Sequence, residues 1–137
     1  MGVGLSGETN LQTLVGSMRP NLTPGIFVFA TVTGAVPAGI DPQMLFRESE
    51  GPTLIVLEEE ARRAGLTATF RCRMITLDIH SSLDAVGFMA AITTRLAANG
   101  MGVNPVSAYF HDDLFVPADR ADEALALLEQ LAIEARG

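Results

Sequence analysis

The chain has 137 residues, 48% of them hydrophobic, and sixteen acidic against nine basic residues give it a net charge of −7. Every basic residue is arginine, which excludes Schiff-base enzymes, pyridoxal-phosphate sites and P-loops, because each of these requires a lysine. The arginines are scattered and form no cationic stripe for phosphate groups, so nucleic acid is excluded as the expected partner.

Membrane and export signals are missing from the sequence. No apolar run approaches the ~20 residues of a membrane-spanning helix, and Met1–Leu5 has neither the basic nor the apolar region of a signal peptide. We therefore expect a cytoplasmic protein with no membrane partner. The mean hydropathy of +0.31 is high for such a protein, and this apolar excess predicts a subunit interface, with a homodimer as the expected assembly.

The chain begins with a predicted helix and a predicted strand. Apolar residues recur at helical spacing over residues 10–18, and Pro20 marks the end of that helix. The β-branched and aromatic run at residues 25–32 follows a Thr-Pro-Gly turn signal. Its continuous apolar character predicts a strand that is buried on both faces.

The next segment, residues 33–51, is punctuated by glycine and proline and is predicted to be irregular, with one helical turn at residues 42–47. A second strand is predicted at residues 53–57. A short helix is expected at residues 58–64, because its first turn is acidic, its last turn is basic and Gly65 stands just past its end.

The second half begins with a strand and a helix of clearer definition. Residues 71–79 are predicted to form a strand whose apolar face changes phase near Met74, which indicates either a β-bulge or burial on both sides. Ser82 is the expected N-cap of an amphipathic helix over residues 83–99, and Gly100 fits the position after its last turn.

Two strands and a helix are predicted to complete the chain. The strands lie at residues 103–110 and 113–116, and Pro105 favours an edge position for the first, where a lost N–H matters least. The last helix is expected to begin at Asp119 as its N-cap and to bury one apolar face. The order of the second half is therefore β-α-β-β-α.

This order and an internal repeat predict an α+β protein with two tandem ferredoxin-like units, each an α/β sandwich. Residues 54–64 match residues 114–124 at a constant offset of 60, so each half closes with a strand and a helix. The second unit is βαββα, and the first lacks a full first helix. We place the first unit, with its leading helix, at residues 1–66 and the second at residues 67–137. Each unit leaves one bare sheet face, which we expect the other unit or a second subunit to cover.

Catalysis and metal binding have little support in the sequence. Cys72 is the one cysteine, it lies in a strand-like run, and we interpret it as a buried or half-buried thiol rather than as a nucleophile. His111 stands beside two acids, but adjacent residues in a tight turn rarely converge on one ion. We predict no catalytic residue, no cofactor and no metal site, and therefore no enzyme.

Five segments carry a resemblance to a known family. They are residues 80–87, 96–103 and 107–117 in the second half and residues 24–29 and 46–54 in the first. The first three resemble the ACT regulatory domain of aspartokinases and of arginine-sensing proteins. The other two resemble small stand-alone bacterial proteins built from two tandem ACT-like units. The resemblance implies a ferredoxin-like fold that binds an amino acid or another small effector between paired domains.

One departure from the pattern of the ACT family concerns the turn that usually holds the ligand. ACT domains commonly carry Asp-x-x-Gly at this place. This sequence has His80-Ser81-Ser82-Leu83 instead and delays its glycine to Gly87. The ligand set of the family therefore does not transfer residue by residue.

The candidate ligand-binding residues follow from what an amino-acid effector requires. Backbone N–H groups and hydroxyls at a helix start can bind its carboxylate, and acidic side chains, some from a neighbouring unit, can accept from its ammonium group. These candidates are His80, Ser81, Ser82, Leu83, Glu50, Asp112 and Asp113. Structural roles compete at Ser82, which can cap a helix, and at Asp112 and Asp113, which can form a hairpin turn. His80 can likewise stand at the end of a strand without touching a ligand.

Two classes of function remain open at this point. A non-catalytic sensor would bind an amino acid or a similar metabolite where two ACT-like units meet. The conformational change on binding would then be transmitted to a partner. A structural or assembly module would keep the same fold around a vestigial pocket.

Overall fold

The computed structural model describes residues 10–137, so the interpretation of Met1–Leu5 as lacking a leader lies outside the described part of the chain. The described residues form helices and strands that alternate along the chain. Their order is α1 (Leu11–Ser17), β1 (Pro20–Leu22), β2 (Phe27–Thr31), β3 (Met44–Glu48), β4 (Gly51–Leu57), α2 (Glu58–Ala64), β5 (Thr67–Leu77), α3 (Phe88–Ala98), β6 (Asn104–Ser107), β7 (Asp112–Pro117), a 3-10 turn (Ala118–Arg120) and α4 (Ala121–Arg136).

The strands of residues 10–137 form one antiparallel sheet with the order β3-β4-β2-β5-β7-β6, and β1 pairs with β5 outside this path. β5 is central because its eleven residues are long enough to take different neighbours at its two ends. Residues 67–72 pair with β2, whereas residues 72–77 pair with β7 on the opposite edge. Residues 75–77 also pair with β1, which continues the line of β2.

The strand order contains the same four-strand arrangement twice. β3-β4-β2-β5 and β6-β7-β5-β1 both place the second, third, first and fourth strand of a ferredoxin-like unit side by side. β5 ends the first unit and begins the second, and β1 supplies the last strand of the second unit from the start of the chain. The predicted α+β class with tandem ferredoxin-like units is confirmed.

Helices from both ends of the described chain cover the second unit. α1, assigned from sequence to the first unit, packs against α3 and α4. Arg136 of α4 donates a hydrogen bond of 2.8 Å to the carbonyl oxygen of Gly16 in α1. The division of the chain between residues 66 and 67 stays a prediction, since β5 begins at that point and serves both units.

The first unit has no first helix, as predicted, because residues 32–43 connect β2 to β3 without a helix or a strand. The helical turn predicted at residues 42–47 is wrong, since residues 44–48 form β3. β3 pairs with β4 through the tight turn at Ser49 and Glu50. This cross-strand pairing outweighs the weak local preference that proline gives to a helix start.

The start of α3 also differs from the prediction. α3 begins at Phe88, and Gly87 precedes it with a φ of +88° that favours glycine. Ser82 does not cap the helix, because its Oγ accepts a hydrogen bond of 3.0 Å from the backbone N–H of Asp84 within a separate turn. Serine side chains compete with helix formation through such local bonds to the backbone.

The last helix keeps its predicted buried face but not its predicted cap. Asp119 lies in the 3-10 turn, and no side chain caps α4, which begins at Ala121. The buried residues of α4 recur at helical spacing and are Ala121, Ala124, Leu128 and Ala132. β6, which carries Pro105, lies at the edge of the sheet as expected.

The irregularity of β5 lies at Phe70 rather than at Met74. Phe70 has a φ of +61°, and the register between β2 and β5 shifts between Phe27 and Phe29. The change of apolar phase near Met74 instead reflects burial on both faces. Met74 packs into one core cluster, and its neighbour Ile75 packs into another on the opposite face.

Three apolar clusters make up the core of the described chain. Two of them lie between the sheet and the helices, one in each unit. The third lies on the opposite face, draws on both units and has as its buried members Phe27, Ile55, Cys72, Met74 and Phe115. The Phe115 ring stands edge-on to those of Phe27 and Phe29, with centroid distances of 6.0 and 5.8 Å. The sheet therefore curls until the bare faces of the two units cover each other.

We predict that Phe115→Ala lowers the free energy of unfolding by about 3–5 kcal/mol, because the truncation leaves a cavity where the two units meet. Urea unfolding followed by circular dichroism measures the change, and the wild-type protein should unfold in one transition. Ile133→Ala on α4, where the side chain is 53% exposed, is the control and should stay within about 0.5 kcal/mol. Two separate transitions in the wild-type protein would contradict the mutual cover of the units.

Candidate functional site

A small cavity lies where the loop after β5 meets the hairpin of β6 and β7. Within the sheet, Asp112 of β7 pairs with Leu77 of β5 on one side and with Ser107 of β6 on the other. The cavity has a volume of about 70 Å³. Its lining comes from the loop over residues 78–87, the first turn of α3 and the hairpin stems, and consists of Ser81, Ser82, Leu83, Ala85, Phe88, Met89, Ser107 and Asp112.

Asp112 gives this cavity its charge. The residue is 7% exposed, and its carboxylate accepts hydrogen bonds from the hydroxyls of Ser81 at 2.7 Å and Ser107 at 2.5 Å. Within residues 10–137, no arginine or histidine forms an ion pair with it. A buried carboxylate without a cation is costly, and hydroxyl donors offset only part of that cost. The cavity therefore offers a negative charge and remaining acceptor capacity to a ligand.

The turn over residues 82–85 lies beside the cavity. The Ser82 hydroxyl is engaged by the N–H of Asp84, and the Ser82 carbonyl oxygen accepts from the N–H of Ala85 at 3.0 Å. Ser82 and Leu83 themselves line the cavity.

The structure does not bring two of the sequence candidates to the cavity. Asp113 points to the opposite face of the sheet, where its carboxylate accepts a hydrogen bond of 2.6 Å from the hydroxyl of Thr76. Glu50 lies exposed in the turn between β3 and β4, at the other end of the strand order. A turn-forming role for Asp112 and Asp113 is also wrong, because both belong to β7.

His80 lies past the end of β5 and joins two rings from the tip of the β6–β7 hairpin. Its ring centroid is 5.5 Å from that of Phe110 and 6.3 Å from that of Tyr109. The rings of Tyr109 and Phe110 are 4.8 Å apart. We call these three residues the aromatic rim, because they stand beside the cavity-lining residues Ser81 and Ser107.

The sequence did not reveal the roles of Ser107, Tyr109 and Phe110. All three were assigned to a strand over residues 103–110, whereas β6 ends at Ser107. The register of the hairpin, in which Ser107 pairs with Asp112, would have revealed the contact. Register depends on the turn that joins two strands, and no Asn-Gly or similar pair marks this one.

Cys72 is the buried thiol that the sequence predicts. It is fully buried, and its Sγ donates to the carbonyl oxygen of Phe27 at 3.4 Å. Within residues 10–137, no three His, Cys, Asp or Glu side chains come together as a metal site requires. Every helix of that range is too short or too polar to cross a bilayer.

The two four-strand units that share β5 were compared with known families of domains. Models of the ACT domain match residues 6–73 and residues 69–130. The two matches meet within β5, the strand that both units share. The chain belongs to the ACT-domain family, and it contains two such domains in tandem. ACT domains are regulatory modules that bind small ligands.

Solved structures give the same fold. VC0802 from Vibrio cholerae, a protein of unknown function described as a possible transport protein, is 41% identical with a TM-score of 0.82, and the match covers 89% of this chain and 95% of that one. Atu0741 from Agrobacterium tumefaciens is 17% identical with a TM-score of 0.72, over 84% and 89% of the two chains. The regulatory subunit of aspartate kinase from Thermus flavus is 13% identical with a TM-score of 0.62, over 82% and 95%. No curated protein matches the sequence.

We predict that Cys72 stays unreactive in the folded protein, because burial raises the pKa of its thiol to about 12. The unfolded thiol ionises at pH ~8.5, so this group's contribution to stability is complete below that pH and is lost as the pH rises toward the folded pKa. Ellman's reagent at about pH 8 should label the native protein slowly and the urea-unfolded protein fast. Equal labelling rates in the two states would contradict the burial of this thiol.

Proposed function

We propose that this protein is a non-catalytic cytoplasmic sensor. It binds an amino acid beside Asp112, and the conformational change on binding is transmitted to a partner protein. The observation that supports this most is the buried carboxylate of Asp112, which has two hydroxyl donors and no cation within residues 10–137. A ligand with a positive charge would complete this arrangement, because its ammonium group would supply the missing counter-charge.

An amino acid suits both kinds of group around the cavity. Its ammonium can donate to the open acceptor positions of Asp112, and its carboxylate can accept from the backbone N–H groups of Ser82 and Leu83. The two charged groups of an amino acid are carried by one carbon atom, and these three residues line one small cavity. Ligand-binding regulation is also the general property of the ACT family.

We expect one such site per chain. At the offset of the internal repeat, Pro52 stands in the first unit where Asp112 stands in the second. The first unit also has no counterpart of α3, whose first turn closes the cavity in the second unit. It therefore lacks both the carboxylate and one wall of the site.

We predict that Asp112→Asn weakens amino-acid binding about tenfold or more, because it keeps the side-chain size and removes the charge that the ammonium group needs. A thermal-shift screen of the standard amino acids at millimolar concentration selects the ligand, and isothermal titration calorimetry measures its dissociation constant. Asp113→Asn is the matched control. It removes the neighbouring charge on the other face of the sheet and should leave the dissociation constant unchanged.

Two results would refute the proposed sensor function. One is a wild-type screen in which no amino acid raises the melting temperature. The other is an equal loss of affinity in the Asp112 and Asp113 variants, which would point to general electrostatics rather than to contact with one carboxylate.

An assembly function is the second candidate, and the outer edge of β3 favours it. Leu45 is 48% exposed and Phe46 is 63% exposed on the two faces of this edge strand. β3 contains no proline, whereas β6 at the other edge carries Pro105. An unprotected apolar edge suits antiparallel pairing with a second copy of the chain, which is the homodimer expected from the hydropathy.

We predict that Phe46→Lys converts a homodimer to a monomer, because the added charge would be buried between two β3 edges. Sedimentation velocity of the wild-type protein and the variant measures the mass of each. Ile133→Lys, which adds the same charge at an exposed position on α4, should leave the mass of the wild-type assembly unchanged. A monomeric wild-type protein at micromolar concentration would argue against assembly through β3.

A further inference from the structure

The aromatic rim beside the cavity is exposed to a degree that core packing does not explain. Tyr109 is 53% exposed and Phe110 is 56% exposed, although large apolar side chains of this chain are mostly buried in its three clusters. The rings of the three rim residues lie against one another and form one aromatic surface. They hold each other in place while much of their surface stays open to solvent.

The position of this surface follows from the hairpin. Ser107 and Asp112 pair with each other, both line the cavity, and the residues between them carry Tyr109 and Phe110. His80 directly precedes Ser81, the other residue that donates to Asp112. Each residue of the rim is therefore within two residues along the chain of a cavity-lining residue, and Leu83, which lines the cavity, is exposed as well.

The geometry points to an aromatic amino acid as the effector, with its ring on the aromatic rim and its ammonium group on Asp112. This inference rests on the proposed function and adds the class of side chain. The cavity volume of about 70 Å³ is far below that of a site that encloses a whole small molecule, so the side chain of a bound amino acid must extend out of the mouth. We place this side chain against the neighbouring rings of the rim.

The chemistry of the rim favours a ring over other side chains. Aromatic pairs gain attraction from offset or edge-on contact, which an aliphatic chain does not provide. A guanidinium group could also stack on these rings, so L-arginine is the competing ligand to compare with L-phenylalanine.

One tyrosine makes the inference directly measurable. Tyr109 is the only tyrosine of the chain and there is no tryptophan, so the intrinsic emission of the protein reports on the rim. L-phenylalanine should change this emission along a saturable curve, with a dissociation constant about tenfold or more below that of L-alanine. 3-Phenylpropionate, which has the ring and the carboxylate but no ammonium group, should not saturate in the same range.

Phe110→Ala tests the rim against a matched control. It should weaken the binding of L-phenylalanine about tenfold and leave that of L-alanine within about twofold, as measured by calorimetry. Ile133→Ala removes an apolar side chain of similar exposure, 53%, from α4 and should change neither dissociation constant.

The possible failures are distinguishable. If L-alanine binds as tightly as L-phenylalanine, or if Phe110→Ala keeps the preference, the aromatic effector is refuted while the amino-acid sensor stands. Tighter binding of L-arginine than of L-phenylalanine refutes it in favour of a guanidinium. If no amino acid binds, the proposed function and this inference are both refuted.

Discussion

The contact of Phe115 with Phe27 and Phe29 is the interaction on which the rest of the structure depends. A sheet that carries its helices on one face leaves the other face apolar and bare, and a unit of this size cannot leave such a face in water. The two units solve the problem together, because the rings of both meet in a cluster that neither could bury alone. Part of the apolar excess of the chain is thus accounted for within one subunit.

β5 fixes the position of the two units relative to each other. One strand serves both units, so the units cannot slide past each other without breaking pairs on both edges of β5. The same strand positions the candidate site, because its last residue, Leu77, pairs with Asp112. The loop over residues 78–87 begins directly after it. The cavity is therefore built on the ends of paired strands, although one of its walls is a loop.

Local sequence patterns predicted the elements whose stability is local or whose faces are plainly apolar. α1, β2, β4, α2 and the buried face of α4 all follow from spacing, caps and continuous apolar runs. The elements that the sequence missed depend on pairing partners far along the chain. β3 forms because it pairs with β4, and β1 is a strand of three residues that pairs with the end of β5.

The candidate site was predicted only in part, because it too depends on strand pairing between distant residues. The stretch from Ser81 to Leu83 was recognisable from its polar residues after a strand. Asp112 and Asp113 were not separable, because the choice between them depends on which residue of β7 faces the helices. Ser107 required the hairpin register, and no distinctive turn residues between β6 and β7 mark that register.

The hydrogen bonds of Asp112 indicate how ligand binding could reach the surface of the molecule. One bond comes from Ser81 in the loop and the other from Ser107 in the hairpin, so the carboxylate ties together two segments that are distant in sequence. The loop runs through Gly87 directly into α3, and α3 packs against α1 and α4. A ligand can shift a conformational equilibrium only by its difference in affinity between two states. In the proposed sensor, that difference would arise at Asp112, where an ammonium group would donate to the carboxylate beside the two hydroxyls. α3 is the element best placed to transmit the resulting conformational change to a partner.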